Sequence, residues 1–564
     1  MKSDDIRTYL WAGICLTGFC FVFINGNAEE GGRIFWHLLK AHDQAAAGWM
    51  AGILIVALLL AGYDRLARFP VAGFLDLLER RRYRVAFLLW IVLSIGTLVV
   101  YKNHPLAMDE YAALFQARIF AEGSIHGNFP PPWIDALVPR NFQGVFLIPD
   151  KLTGDVYSAY WPGYSLLLAP FVAIGAPWAC NPALSALSLL VLARIARDTL
   201  DAPGAPGWAM LFALASPVFL INGISYYSMP AHLLLNLVFV WLLLVPTPLR
   251  SAGAGLVGGL ALCLHNPLPH VAFALPWLIW LAANRRGRAL AALACGYLPI
   301  FGLLGIAWVI GHANAPMAGI SMGDAPASTL AGRALASIDA IASFLRFPDA
   351  DILLARTGGF VKLWLWASPL LLLLAFLGFW RTEQVPIRLL AYSALSTAVA
   401  YFAIRFDQGH GWGYRYFHGA WGVLPVLAAL GVQRLTDRLG GGKGPAAVVM
   451  FVTLSGLVVL GALRSIQVEG FVSAHLLQRP PVQDTRPQVL VYRGNGYFGR
   501  DLVQNDPWLR GRTLSLLQPS RDVEEAAVRA ALPGGYVVRQ NRFGRGYSPP
   551  DHAGQPGPAS TPGR

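Results

Sequence analysis

The stretch His104-Pro105-Leu106-Ala107-Met108-Asp109-Glu110-Tyr111 follows the third apolar run and opens a polar loop that extends to Tyr160. Its adjacent carboxylates precede apolar residues at helical spacing, so the sequence predicts an amphipathic helix on the membrane surface, beginning near Asp109 and ending at Gly123. A carboxylate at the lipid-water boundary can take a proton from a water-borne substrate while its neighbours hold a lipid-borne one. The alternative is that Asp109 caps the helix and Glu110 is a solvated first-turn charge.

The composition is that of a polytopic membrane protein. Of the 564 residues, 55% are hydrophobic and 13% are charged, which is about half the charged share of soluble proteins. The net charge of +13 is not gathered in a basic tail or a nucleic-acid motif, so we expect contact with anionic membrane lipid and no nucleic-acid partner. The five cysteines lie in or beside apolar runs without metal-ligand spacing, and they predict no disulfide framework.

Apolar runs of spanning length mark the predicted transmembrane helices. They lie at about 9–26, 47–63, 85–101, 180–197, 205–223, 230–246, 252–268, 270–283, 289–311, 361–379, 386–404, 418–433 and 446–463. The further run 163–178 decides the topology. If it spans, four short basic loops fall opposite the basic loop 65–84, against the positive-inside rule. If it is re-entrant, all of them share the cytoplasmic side. We therefore predict about 13 spans, with the N-terminus cytoplasmic and the C-terminus periplasmic.

This topology gathers the unusual polar segments on the outer face. They are the loops 102–162 and 312–358 and the turns 222–228, 265–270 and 405–416. A transporter would instead scatter polar residues at mid-membrane depth, and the centres of the predicted spans contain few ionisable groups. A second surface helix is predicted within 331–347.

Three regions follow from the changes in composition along the chain. We predict a transmembrane domain over 1–464, whose outer loops form the candidate active-site face, and a small α/β outer domain over 465–547. In that domain 489–492 and 536–538 have the pattern of strands, and 523–532 that of a helix. The Pro- and Gly-rich tail 548–564 is predicted to be disordered.

The outer face carries residue types suited to group transfer. Asp109 and Glu110 are the candidate catalytic carboxylates. Candidate substrate-binding cations are Lys102, Arg118, Arg346, Arg405, His410 and Arg415. Candidate aromatic contacts are Tyr160, Trp161, Tyr226 and Tyr227. The alternative for the aromatics is an ordinary interfacial belt, and for Arg415 an anchor at the lipid headgroups.

Metal-binding patterns are weak in this sequence. His265 and His270 flank two prolines at a turn. Hydrogen bonds from these histidines to nearby backbone groups are a simpler explanation than metal binding. There is no HExxH motif. Asp349-Ala-Asp351 has the spacing of a metal ligand pair but also that of solvated charge. We expect no cofactor and a metal-independent site.

Several motifs together resemble those of the GT-C membrane glycosyltransferases, in particular the group with protein O-mannosyltransferases and the aminoarabinose transferase of lipid A. They are Met108-Asp109-Glu110-Tyr111, then Tyr160-Trp161-Pro162-Gly163-Tyr164, the span Asn181 to Arg197, and Gly413-Tyr414-Arg415-Tyr416. The resemblance covers roughly the first 430 residues. It departs from the family at Trp161, where proline is usual, in the extra pair of spans before the loop, and in the C-terminal domain.

The resemblance implies a GT-C-like fold and inverting transfer of a sugar from a polyprenyl-phosphate donor on the periplasmic face of the bacterial inner membrane. By position, Asp109 would be the catalytic base and Glu110 its supporting carboxylate. The acceptor would be a glycan, lipid or protein of the cell envelope. Two alternatives stay open. One is a ligase that moves a whole oligosaccharide from a diphosphate carrier; the other is a lipid or glycan transporter or a non-catalytic scaffold.

Overall fold

The chain is a helical bundle with two small sheets. The computed structural model describes residues 4–61, 68–311, 347–439, 442–481 and 487–550. The helices are α1 (Asp4–Asn27), α2 (Ile34–Leu38), α3 (Gln44–Leu60), α4 (Val71–Arg80), α5 (Arg82–Val99), α6 (Met108–Ala121), α7 (Ile134–Leu137), α8 (Gly163–Ala173), α9 (Cys180–Thr199), α10 (Ala205–Leu214), α11 (Pro217–Ile224), α12 (Met229–Leu243), α13 (Pro248–Leu262), α14 (Leu268–Ala283), α15 (Gly287–Ile300), α16 (Trp308–Gly311), α17 (Ala350–Leu365), α18 (Leu371–Phe379), α19 (Val385–Ala400), α20 (His418–Trp421), α21 (Val423–Arg438), α22 (Lys443–Ser455), α23 (Gly461–Leu476) and α24 (Arg521–Ala531).

Two sheets accompany the helices. The first is antiparallel, lies between α6 and α8, and has the order β1-β3-β2, with β1 (Gly127–Asn128), β2 (Leu147–Pro149) and β3 (Asp155–Ser158). The second belongs to the outer domain and has the order β5-β4-β7-β6, with β4 (Gln488–Tyr492), β5 (Thr513–Leu517), β6 (Val537–Asn541) and β7 (Gly544–Ser548). Strands β4 and β5 are parallel and the other pairs are antiparallel.

The helical part confirms a polytopic membrane protein. Among the described residues, seven continuous helices are long and apolar enough to cross a membrane, and the bent pair α10 and α11 makes an eighth if it counts as one span. Several further apolar helices, such as α12 and α14, have 17 residues or fewer. The predicted number of about 13 spans is therefore not reproduced by continuous helices, because several spans are bent or short.

The run 163–178 does not form one continuous helix of spanning length. It forms α8, whose 11 residues rise about 16 Å, roughly half the hydrocarbon thickness of a bilayer. In addition, Arg197 at the end of α9 pairs with Glu79 of α4 at 2.8 Å. This ion pair places the basic end of α9 on the same face as the basic segment around α4, in agreement with the arrangement in which 163–178 is re-entrant.

Three charged side chains are buried together in the bundle, at or beyond the ends of the predicted spans 47–63, 361–379 and 446–463. Asp43, Lys362 and Arg464 are each at most 1% exposed and meet in one cluster. Local sequence could not reveal this cluster, because its members lie on three helices that are distant in the chain and neutralise one another only through tertiary packing.

Helix α6 begins and ends as predicted but is not an amphipathic surface helix. Nearly every residue from Met108 to Ile119 is buried. One side of α6 packs on α8, where the Ser165 hydroxyl donates to the Ala113 carbonyl at 3.0 Å. Another side shares a hydrophobic cluster with residues of the outer domain, including Val489, Leu516 and Val528. The helix is thus held between the bundle and the outer domain.

The outer domain contains the predicted α/β elements. The transmembrane helix before it extends to Leu476, past the predicted boundary at 465, and the sheet begins at Gln488. The predicted surface helix at 331–347 lies almost entirely outside the described residues, and so does the tail from 551 onward.

Candidate active site

Asp109 lines a small cleft between α6, α8, the segment 160–161 and the segments that carry Tyr227, His265 and Arg415. The residue lies in the first turn of α6, and its side chain is 21% exposed. One carboxylate oxygen accepts a hydrogen bond from the Tyr160 hydroxyl, and the other accepts from Arg415 Nη1 at 2.8 Å. The cleft is narrow, with only about 10 Å³ of space for the centre of a water-sized sphere. Its other lining residues are Ala113, Trp161, Tyr164, Ser165, Tyr227, Ser228, Met229, Leu264 and His265.

A glycine-rich loop brings Arg415 to this carboxylate. The same Nη1 donates to the His410 carbonyl at 2.6 Å, which closes the loop on itself. Gly411 has a φ of +131°, and a Cβ at this position would lie 2.1 Å from Cδ of Arg415. Only glycine therefore allows the arginine stem to pass this close to the backbone. The guanidinium also lies over the Tyr227 ring, 4.6 Å from its centroid.

Two donors of the loop are buried without an acceptor. Nε of Arg415 and Nε2 of His410 have no hydrogen-bond partner among the described residues. Nδ1 of His410 is 2.9 Å from the Tyr227 hydroxyl. Because burial raises the pKa of Tyr227 well above its usual value, the phenol keeps its proton and can donate, which leaves the proton of the neutral imidazole on Nε2. Buried N–H donors without acceptors are suited to an anionic ligand that reaches them.

The loop after the first sheet supplies the opposite wall. Tyr160 binds Asp109 through its hydroxyl, and its ring lies 4.1 Å from that of His265, measured between centroids. Trp161 lines the cleft and contacts Phe301. Gly163 packs against the Cys263 backbone so closely that a Cβ would lie 2.6 Å from its carbonyl oxygen. The Trp-Pro-Gly segment therefore fits directly onto the turn that carries His265.

The electrostatics keep Asp109 ionised. Burial would raise the pKa of the carboxyl, but the Arg415 charge, His265 and the hydrogen bond from Tyr160 outweigh burial and hold the pKa below its usual value. Burial and the Asp109 charge raise the pKa of Tyr160 well above its usual range, so the phenol stays a donor. Burial lowers the pKa of His265 to about 4, so this ring is neutral at pH 7.

Glu110 has a different environment from its neighbour. The side chain is fully buried. Its carboxylate accepts from the Leu106 and Ala107 backbone N–H groups, at 2.7 and 3.2 Å, and thereby caps α6. It also accepts from the Tyr101 hydroxyl and the Tyr226 backbone N–H. Burial raises its pKa to about 7 against the effect of these bonds. Glu110 therefore holds the helix start and the 222–228 turn together and is not a solvated charge.

Five of the predicted binding residues do not line the cleft. His410 lies in the loop that carries Arg415, with Nδ1 2.9 Å from the Tyr227 hydroxyl. Lys102 pairs with Glu469 at 2.9 Å, and Arg118 lies at the far end of α6. Arg405 lines a separate, open cleft beside the N-terminal helices. Tyr226 is buried with its hydroxyl bound to Asn103. Each sits on the predicted face, but the packing directs its side chain elsewhere. Arg346 lies outside the described residues.

Sequence reasoning missed two residues near the cleft. His265 was assigned to local backbone bonds, but it packs on Tyr160 and lines the site. Asp501 of the outer domain is 9% exposed and has no hydrogen-bond donor or cation on its carboxyl among the described residues. Burial and the charges of Asp109 and Glu110 raise its pKa to about 8. The prolines around His265 mark a tight turn, but no local signal marks Asp501.

No group of three or more His, Cys, Asp or Glu side chains in the described part of the chain is arranged to hold a metal ion. Asp349 caps α17, where its carboxylate accepts from the Ile352 N–H at 2.9 Å. Asp351 lines the open cleft beside the N-terminal helices.

Comparison with known proteins finds similar solved structures, among them two of one protein. No family model matches the sequence, and no curated protein matches it. One similar structure is ArnT from Cupriavidus metallidurans bound to undecaprenyl phosphate, with a TM-score of 0.49 and 11% identity over 83% of this chain and 97% of that one. The other is the apo state of ArnT from the same organism, with a TM-score of 0.45 and 12% identity over 82% of this chain and 97% of that one. Both belong to the GT-C transferases that the sequence motifs resemble. The similarity is in the overall course of the chain and identifies no residue, donor or acceptor.

Proposed function

We propose that this protein is an inverting glycosyltransferase that moves a sugar from a polyprenyl-phosphate donor to an acceptor of the cell envelope on the periplasmic face, with Asp109 as general base. The observation that carries the proposal is the pairing of Asp109 with Arg415 in one cleft, where the Nε of Arg415 has no acceptor among the described residues. One cleft thus contains a carboxylate to receive a proton and cationic or N–H groups to receive a phosphate.

The surroundings of the cleft suit a lipid-linked substrate. Ala113, Met229 and Leu264 form an apolar part of the lining, whereas Asp109, Arg415 and His265 form a polar part. A polyprenyl chain can remain in the apolar region while its phosphate reaches the polar end.

The reaction is a single displacement at the anomeric carbon. The acceptor hydroxyl gives its proton to Asp109 as its oxygen bonds to that carbon. The bond between the carbon and the phosphate oxygen breaks, and its electron pair leaves with the polyprenyl phosphate. Attack from the face opposite the leaving group inverts the configuration. The Arg415 guanidinium donates to the phosphate as its charge increases.

A weak base is sufficient for this displacement. The Arg415 ion pair lowers the basicity of Asp109 in the free site. When a phosphate binds, the guanidinium is shared between two anions, so Asp109 becomes more basic. The departing phosphate monoester is itself a good leaving group, and the acceptor hydroxyl becomes acidic only as its new bond forms.

The test is turnover of purified protein in lipid with a panel of radiolabelled polyprenyl-phosphate monosaccharides and an envelope extract as acceptor. We expect release of label from the lipid by the wild type and a loss of about 100-fold or more in Asp109→Asn. Asp135→Asn is the matched control, because Asp135 pairs with Lys151 and Arg140 in the same loop, away from the cleft.

Two results would contradict the proposal. Full activity of Asp109→Asn would exclude this residue as the base. If the folded wild type turned over no monosaccharide donor, a diphosphate-linked oligosaccharide would test the ligase alternative. Passage of labelled lipid across liposomes would test the transporter alternative.

A further inference from the structure

The N-terminal pair of helices brings a charged residue into the bundle. A π-helical turn at Leu39–Asp43 joins α2 to α3, and turns of this kind often occur at functional sites. Asp43 in this turn is fully buried. Its carboxylate accepts from Lys362 Nζ, Trp366 Nε1 and Arg464 Nη2, each at 2.7 Å.

Asp43 is the common partner of two buried cations. Lys362 lies on α17 and Arg464 on α23, and both are at most 1% exposed. The Arg464 guanidinium also lies 4.1 Å from the centroid of the Trp366 ring. Without the carboxylate, two like charges would be buried side by side with no anion. The position of Trp366 therefore depends on Asp43 directly and through Arg464.

Trp366 in turn packs against the loop that holds Arg415. Its ring centroid is 6.1 Å from that of Trp412. His42, next to Asp43, stacks on the same indole at 6.3 Å with an interplanar angle of 15°. Nε1 of Trp412 donates to the Tyr101 hydroxyl at 3.0 Å. Trp412 lies between His410 and Arg415 in the chain, so its position sets the course of that loop.

We propose that Asp43 is a positioning residue of the active site, which fixes the loop 408–415 through Trp366 and Trp412 and so sets the place of Arg415. The N-terminal helices are then part of the catalytic unit and not only a membrane anchor. This inference rests on the proposed function for its effect on substrate, but the contacts that carry it are independent of that function.

The experiment is a double-mutant cycle between Asp43→Asn and Arg415→Ala on full-length protein in nanodiscs, with undecaprenyl phosphate as the binding probe. We expect Asp43→Asn to weaken binding about tenfold in the wild type and by much less in the Arg415→Ala background. A general loss of structure caused by Asp43→Asn would weaken binding by the same factor with and without the Arg415→Ala substitution. Equal losses, or no loss in the wild type, would overturn the proposal.

Two further variants make the result specific. Asp198→Asn is the matched control, because Asp198 also binds an arginine and an indole, Arg194 at 2.9 Å and Trp241 at 3.2 Å, beside α9 and α12. We expect it to show no coupling to Arg415.

If Asp43→Asn fails to fold, the same cycle is run with Trp366→Phe, which removes the N–H that donates to Asp43 but keeps an aromatic ring. Additive or absent effects of this variant would also overturn the proposal.

Hydrogen exchange separates this proposal from the proposed function. Loop amides 408–415 are expected to exchange faster in Asp43→Asn than in the wild type or Asp198→Asn, whether or not the protein binds the lipid. Unchanged exchange would refute the positioning role. Failure of the wild type to bind undecaprenyl phosphate or to transfer sugar would count against the proposed function alone.

Discussion

At the residue scale, the ion pair of Asp109 and Arg415 brings together the proposed base and the proposed ligand of the phosphate. Each side chain lowers the cost of burying the other. The pair remains accessible from solvent, since the Asp109 side chain is 21% exposed. An incoming phosphate can therefore compete for the guanidinium. This explains why a carboxylate with a lowered pKa is compatible with a role as base.

Gly411→Ala is expected to displace Arg415 and reduce transfer about 100-fold, because a Cβ would collide with the arginine stem and the loop would have to move by about 1 Å or more. The measurement is turnover of the lipid-linked donor together with its binding. Gly409→Ala is the control, since Gly409 also has a positive φ of +62° but open space around it. Equal losses in both variants would attribute the effect to backbone strain rather than to Arg415.

Asp501→Asn is expected to stabilise the protein at alkaline pH. The carboxyl has a pKa of about 8 in the folded state, above its ordinary value near 4. Its protonated form therefore contributes stability below about pH 4, and this contribution is lost as the pH rises toward 8. Asparagine does not ionise, so the melting temperature of the variant should exceed that of the wild type by more at pH 8 than at pH 5. A gain that does not depend on pH would contradict this origin.

At the scale of elements, α6 couples the bundle to the outer domain. The Tyr111 hydroxyl donates to the Asn505 carbonyl and accepts from its N–H, both at 2.7 Å. Gln504 donates to the Pro105 carbonyl at 2.8 Å. These bonds and the shared hydrophobic cluster hold the segment that carries Asp501 against the helix that carries Asp109.

Tyr111→Phe is expected to destabilise this junction by about 1–3 kcal/mol, because it leaves a buried N–H and a buried carbonyl without partners. The measurement is the rate of limited proteolysis of the outer domain together with thermal unfolding. Tyr83→Phe is a suitable control, since Tyr83 is 64% exposed. Unchanged protease resistance in Tyr111→Phe would show that the apolar cluster alone holds the domain in place.

At the scale of the whole molecule, the polar segments meet at one end of an apolar bundle. Contacts join the loop 102–162 to the turns 222–228, 265–270 and 405–416. The pairing of Glu79 with Arg197 places basic loops together on a common face. A site at one end of the bundle fits transfer between a membrane lipid and a water-borne acceptor better than passage through the bilayer.

Cysteine accessibility tests this arrangement in a background without the five native cysteines. Leu152→Cys, at a position 91% exposed in the loop near the site, should react with an impermeant reagent added to intact cells. Ala202→Cys and Gly442→Cys should react only after the membrane is opened, because the basic loops face the cytoplasm. Labelling of Gly442→Cys from outside would reverse the proposed orientation.

The sequence by itself determined the class of protein, the start and end of α6 and the strands and helix of the C-terminal domain. It also predicted which segments share the outer face. Apolar run length, charge asymmetry and strand alternation are local properties, and they do not depend on how the helices pack. The same patterns did not distinguish a binding tyrosine from an interfacial one, because Tyr160 and Tyr226 have similar surroundings in the sequence.

Only the tertiary structure decided which of the outer residues form the site. Asp109 and Arg415 are joined across 306 positions of the chain, and Asp43 meets Lys362 across 319. Such pairs form because helices that bury apolar surface bring polar groups together, and each group must then find a partner out of reach of water. For that reason Lys102 pairs with Glu469 and Arg405 lines a separate cleft, whereas His265 lines the cleft of Asp109.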